Sequence, residues 1–231
     1  PYTHTGKVAM CRSLAINPNI SRRPLPGDPM PPPPQPGQTT GPDDVKFEPD
    51  QGCIKKPLVI FIGGFADVAT KNVCGWALEY QNNHHTYQDV YYREHSQANS
   101  VKRLVELYKQ SGQKTAVIGH SWGGCTAARD VALKTTSEID LLVTLDPVSC
   151  RKPNVSAKPA NIKQYINIYI DYSIAKSDQA NTIARVGGPW ESVNWADSNH
   201  NIIRDTNIQF THAYSWEMFE KYALQITEAI K

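Results

Sequence analysis

Ser121 is the residue whose surroundings point most directly to chemistry. It stands in the stretch Lys114-Thr-Ala-Val-Ile-Gly-His-Ser-Trp-Gly-Gly-Cys-Thr-Ala-Ala-Arg129. A short β-forming run, Thr115 to Ile118, leads to a serine set between glycines, and an alanine-containing run able to form a helix follows. Gly119, Ser121 and Gly123 therefore make a Gly-x-Ser-x-Gly string at a strand-to-helix turn, where a strained backbone presents the serine and the glycines let strand and helix approach. The string alone is common by chance; the apolar strand before it and the helical run after it give it meaning.

A serine hydroxyl is a weak nucleophile at neutral pH, so Ser121 needs a base within hydrogen-bond reach, and that base needs an orienting acceptor. Beyond Ser121 the histidines are His200 and His212. His212 is the preferred base because it borders the last helix-like segment, from which a loop-borne imidazole can reach a sheet edge; His200 is the alternative. His120, beside the serine, is directed away from it by strand geometry and takes a packing or pocket role. For the acid, Asp146 directly follows the apolar run Ile139 to Leu145, and Asp171 directly follows Ile162 to Ile170. An ionisable group at that place is fixed at the sheet edge where α/β proteins bind ligands. Asp146 is preferred, with Asp171 next and Asp67 and Asp197 more remote. A tetrahedral intermediate also needs donors for its oxyanion. The backbone N–H of Trp122 is the first candidate, and that of Phe65 or Ala66, in Gly63-Gly-Phe-Ala-Asp67, is the second. Together these groups describe acyl transfer through a serine, which calls for neither a metal nor a cofactor.

The elements that must position these residues are legible as apolar runs separated by helical patterns. Pro57 to Ile62 and Ile139 to Leu145 are short, continuously apolar and rich in β-branched residues, as in strands buried on both faces of a parallel sheet. Tyr87 to Tyr92 and Ile162 to Ile170 are further strand candidates. Asn72 to Gln81 offers Trp76, Ala77 and Tyr80 to one helical face, and Asn99 to Ser111 offers Val101, Leu104, Val105 and Tyr108 before Gly112. Ala213 to Ile230 reads as a closing helix. Residues 173 to 211 resist assignment, although Gly187 to Trp190 is a turn. Trp190 and Trp195 are candidates for a pocket rim or for core cover. Strands alternating with helices predict an α/β fold with a mostly parallel central sheet flanked by helices.

Of the 17 prolines, 12 lie in residues 1 to 49. Repeated prolines remove backbone donors and favour an extended form, so residues 1–55 read as a proline-rich tail or linker and residues 56–231 as the folded catalytic domain. With 24 Lys plus Arg against 22 Asp plus Glu, the net charge of +2 gives no warrant for a nucleic-acid partner. No run approaches the roughly 20 apolar residues of a membrane-spanning helix, and no signal-peptide pattern opens the chain. The adjacent His84 and His85 lack a third ligand at suitable spacing and read as loop or surface residues. The five cysteines are Cys11, Cys53, Cys74, Cys125 and Cys150. Their number and spacing favour neither a zinc site nor a complete disulfide framework. Cys53 with Cys74 is the candidate pair, and Cys125 reads as a small buried packing residue.

These features resemble the α/β-hydrolase superfamily. Val117-Ile-Gly-His-Ser-Trp-Gly-Gly124 followed by Leu145-Asp-Pro147 is similar to the arrangement in triacylglycerol and phospholipid lipases. The resemblance implies Ser121 as nucleophile, Asp146 as acid and His212 as base in the hydrolysis of carboxylic esters, with lipid or phospholipid acyl esters as the substrate class and a transient membrane-surface contact. The proline-rich leader with a compact catalytic domain also resembles bacterial lipase effectors that attack competitors' membranes. That likeness implies export or delivery to a target cell's periplasm and a delivery or immunity protein as partner. An amidase, peptidase or acyltransferase using the same acyl-serine step is the alternative in catalysis, and a binding domain built on the same fold is the alternative outside it.

Overall fold

The computed structural model describes residues 54–65, 67–148 and 151–231, and for Val68 and Ala69 it describes the backbone. The proline-rich run of residues 1–49 lies outside the described residues, as does Ala66, the alternative oxyanion donor. Among the described residues the chain forms one six-stranded, all-parallel sheet of order β2-β1-β3-β4-β5-β6. The strands are β1 (Leu58–Gly63), β2 (Asp89–Glu94), β3 (Thr115–His120), β4 (Ile139–Leu145), β5 (Ile162–Tyr169) and β6 (Ser198–Asn201).

The apolar runs explain why the sheet is covered on both sides. Every residue of β1, β3 and β4 is buried. Because side chains alternate across a strand, Val59 and Phe61 face one layer and Leu58, Ile60 and Ile62 the other. The first layer packs on helix α2 (Cys74–His84) and the C-terminal helices α7 (Ser215–Tyr222) and α8 (Leu224–Glu228), through Trp76, Tyr80 and Phe219. Trp76 stacks on Phe219 with ring centroids 5.0 Å apart, and its indole N–H donates to the Ser215 hydroxyl at 3.0 Å. The second layer packs on α3 (Ala98–Gln110), which buries Val101, Leu104, Val105 and Tyr108, the four positions that its sequence pattern marks. Burying each such side chain stabilises the fold by about 1.5–3 kcal/mol.

The topology also sets where a ligand can enter. From β1 the chain goes outward to β2 and then returns to lay β3 on the other side of β1, so its winding direction reverses between β1 and β3. The carboxyl ends of such a strand pair part and leave a crevice. Gly63 ends β1 and Ser121 follows β3, so both border that crevice.

Several expectations need correction. Within residues 173–211 the chain forms α5 (Gln179–Gly187), the edge strand β6 and α6 (Ile202–Thr206). The β6 sequence Ser-Asn-His-Asn carries no apolar alternation because it pairs on one side alone, with β5, and its polar side chains find partners. Asn199 accepts from the Val193 backbone at 2.7 Å and donates to the Val193 carbonyl at 2.9 Å. The closing helix is interrupted at Ala223, where φ of −129° leaves the helical range. His84 is no surface residue: its Nδ1 lies 2.6 Å from the Tyr80 carbonyl and its Nε2 2.9 Å from Glu228, tying α2 to the C-terminal segment. Of the two readings of Trp190 and Trp195, core cover is the one observed, since both are buried. Cys74 is a free buried thiol, so the Cys53–Cys74 pair does not form. Cys125 is disulfide-bonded and therefore more than a packing residue; its partner lies outside the described residues. Cysteine spacing along a chain does not report which thiols the fold brings together.

Candidate active site

The turn after β3 is built as its glycines suggest. Ser121 has φ of 57° and ψ of −128°, a conformation rare for a residue with a Cβ and one that surrounding structure must enforce. Its amide donates to the Leu145 carbonyl at 3.0 Å, and its carbonyl accepts from Val148 at 3.2 Å, tying the turn to the loop after β4. The helix that follows leaves no room beside the sheet. A Cβ on Gly123 would fall 2.2 Å from the Ile62 carbonyl oxygen, and one on Gly119 2.2 Å from that of Gly123. The helix begins as α4 (Trp122–Cys125) and continues through Thr126–Ala132 with the wider π-helical turn.

Three of the residues singled out in the sequence meet here. His212 Nε2 lies 2.8 Å from Ser121 Oγ, and His212 Nδ1 lies 2.6 Å from Asp146 Oδ2. A carboxylate only accepts, so Nδ1 carries the proton donated to Asp146, and the Nε2 lone pair faces the serine O–H. Asp146 is fully buried. Its Oδ1 accepts from the Ile170 amide at 3.1 Å and its Oδ2 from the Tyr172 hydroxyl, so the buried charge is met by three donors. His212 is fixed from both sides of its backbone. Its amide donates to Asn181 Oδ1 at 2.8 Å, and its carbonyl accepts from His120 Nε2 at 2.8 Å.

The other candidates lie elsewhere. His200 sits on β6, stacked on Tyr222 and 3.7 Å from Asp205. Asp171 accepts from the Ser173 hydroxyl and amide and faces Arg204 at 2.6 Å, contacts that hold its carboxyl down at about 2. Asp197 pairs with Lys158. Asp67 is buried beside the crevice, where it accepts from the amides of Val73 and Cys74, each at 2.8 Å, and from the Tyr92 hydroxyl at 2.9 Å. Burial outweighs these donors and raises its carboxyl to about 6. At the start of the short helix α1 (Asp67–Thr70), it caps the start of α2 and anchors the loop after β1.

That loop runs directly past Ser121: a Cβ on Gly64 would lie 2.7 Å from the serine Cβ. Phe65 and Trp122, the two sequence-derived oxyanion donors, thus come from segments that meet at the serine. Their side chains form an aromatic rim. Phe65 is 62% exposed and its ring lies 6.3 Å from that of Trp122; His95 packs 4.8 Å from Trp122 and 6.3 Å from Phe65. Burial lowers the His95 pKa and so favours the neutral ring. His120 is displaced further the same way, by burial and by the neighbouring His212, whose ring centroid is 4.6 Å away.

Sequence reasoning missed Tyr172, Asn181 and the bond from His120 to the His212 carbonyl. Tyr172 carries one usable signal, its place just after β5 in the row of strand ends that also supplies Ser121 and Asp146. Asn181, inside an unassigned region, carries none. Among the described residues no group of three or more His, Cys, Asp or Glu side chains is arranged to hold a metal ion. No protein-family model matches the chain, and a search of curated proteins returns no match.

Proposed function

We propose that the protein is a serine hydrolase of the α/β-hydrolase type that cleaves carboxylic esters, with lipid or phospholipid acyl esters as its substrates. The observation that carries this reading is the hydrogen-bonded chain from Ser121 Oγ through both nitrogens of His212 to Asp146, set on a strained serine at the chain-reversal crevice. Ser121 attacks the acyl carbonyl while His212 Nε2 takes its proton, and Asp146 stays ionised and holds the imidazolium. The backbone N–H groups of Trp122 and Phe65 receive the oxyanion. The imidazolium then protonates the leaving alcohol, and a water deprotonated by His212 releases the acyl group. Preference for lipid esters rests on the rim of Phe65 and Trp122 beside the serine, which offers apolar surface to an acyl chain and to a transient membrane contact. In the effector setting that the sequence resembles, the substrate is a competitor's phospholipid, and a delivery or immunity protein is the partner.

Treatment with a fluorophosphonate followed by mass spectrometry tests the reading. One adduct is expected, on Ser121, absent in Ser121→Ala and slowed by about a thousandfold or more in a folded His212→Ala. Hydrolysis of a phospholipid and ester panel should fall by a similar factor. A folded parent protein that takes no adduct and turns over no ester, thioester or amide would leave a binding domain as the reading.

A further inference from the structure

Asp146 does not serve His212 alone. Its Oδ2, which takes the Nδ1 proton of the imidazole at 2.6 Å, also accepts the hydroxyl proton of Tyr172, whose oxygen stands 3.4 Å from that same Nδ1. Oδ1 is engaged by the Ile170 amide, and the carboxylate is fully buried, so the two side chains share one oxygen. Arg185 helps hold the Tyr172 segment in place. The Arg185 guanidinium of α5 lies 5.4 Å from the ring centroid and donates to the carbonyls of Tyr172 at 3.2 Å and Ala175 at 2.8 Å. The neighbouring Asp171 is drawn away by Arg204. Burial and the nearby Asp146 push ionisation of the Tyr172 hydroxyl far upward, so it is a proton donor at every working pH.

We infer that Tyr172 is a positioning residue that sets how firmly Asp146 holds the charged imidazole of His212, by sharing the one carboxylate oxygen that both use. A carboxylate oxygen that accepts two hydrogen bonds spreads its charge over both donors and attracts each less than it would alone. An acid that grips the imidazolium too tightly keeps the base protonated near neutrality and unable to take the serine proton. The inference rests on the proposed hydrolase reading for its catalytic meaning, but the shared hydrogen bonding at Asp146 Oδ2 stands without it. The titratable groups around His212 are Ser121 and His120 at the end of β3, Asp146 after β4 and Tyr172 after β5. Around Tyr172 they are Arg185 and, at the start of α5, Asp178. His120 is kept neutral by burial, which leaves Asp146 and Tyr172 as the pair that sets the balance.

Two substitutions in the full chain test this, Tyr172→Phe and replacement of Tyr172 by 3-fluorotyrosine, which keeps the shape and strengthens the donor. The readouts are the acid limb of kcat/KM against pH and, in the same samples, the titration of His212 followed by NMR of nitrogen-labelled histidine. With Phe the acid limb is expected to move to higher pH by about half to one unit, and with 3-fluorotyrosine to move the opposite way. A packing residue would lower kcat or thermal stability and leave both limbs in place, and that result overturns the inference. If the Phe variant fails to fold, the near-isosteric fluorinated protein still decides. If the parent turns over no ester, opposite movements in the His212 titration uphold the inference while the hydrolase reading falls; an unmoved titration sinks the inference whatever the turnover.

Discussion

Ser121 is held in a backbone conformation that a side chain disfavours, and the cost is met by neighbours that have no freedom to yield. The clearest test is Gly123, whose missing Cβ is what lets the helix lie against Ile62 and Gly63. Gly123→Ala puts a carbon 2.2 Å from a backbone oxygen of a buried strand, where a flexible side chain cannot move aside. It should lower stability by about 1–3 kcal/mol, as overpacking does. It should also cut fluorophosphonate labelling of Ser121 more than the loss of folded protein explains; denaturant melts and labelling rates on one sample separate the two. At this scale the sequence was generous with the groups that would react and silent about those that hold them. Ser121, Asp146 and His212 are marked by glycine spacing, by a strand end and by a helix border. Tyr172, Asn181 and the His120 bond depend on contacts between distant segments, such as the 31 residues from Asn181 to His212, that no local pattern encodes.

Elements place these residues, and the loop after β1 depends on Asp67. Its carboxylate takes two amides at the start of α2 and the Tyr92 hydroxyl at the end of β2, so one side chain joins a loop, a helix and a strand. Because burial raises its folded pKa from 3.8 to about 6, the folded protein binds a proton that the unfolded chain releases between those values. Asp67 therefore favours folding most fully below pH 3.8, and that contribution is lost as pH rises to about 6. The loss is on the order of 2–3 kcal/mol. Asp67→Asn should remove this slope: the stability difference between parent and variant, from denaturant melts at several pH values, should change across that window and be flat above it. A difference flat throughout would show that the carboxyl is not strained by burial. Elements were legible where hydrophobic period was strong, as in α3 and β4, and illegible where polar side chains replace it. β6 is the sharpest case, since an edge strand with Asn199 bonded to neighbouring backbone needs no apolar face.

Over the whole molecule the sheet separates two kinds of charge. At the carboxyl ends of β3 and β4 stand Ser121 and Asp146; at the start of β4 stands Asp140, paired with Lys109 at 3.0 Å and Lys163 at 2.9 Å and accepting from the Thr115 amide at 2.9 Å. Despite burial, these partners hold the Asp140 carboxyl below its ordinary value. Asp140→Asn should cost about 1–3 kcal/mol, the worth of hydrogen bonds to a charged group. The labelling rate of folded Ser121 should not change, because the substitution lies at the far end of the sheet. A slower rate at equal folding would mean that strain travels the length of β4.

The same layout fixes an order of events during synthesis. Asp146 and then His212 are translated after the serine, and the imidazole trails it by 91 residues. Its seat also waits for Asn181, for Tyr172 and for the segment in which Ser215 locks onto Trp76. On the proposed hydrolase reading, a growing chain therefore carries its serine as an ordinary hydroxyl until the last partner docks, so that reactivity would arrive with the finished fold and a chain that stalls or misfolds would stay chemically quiet.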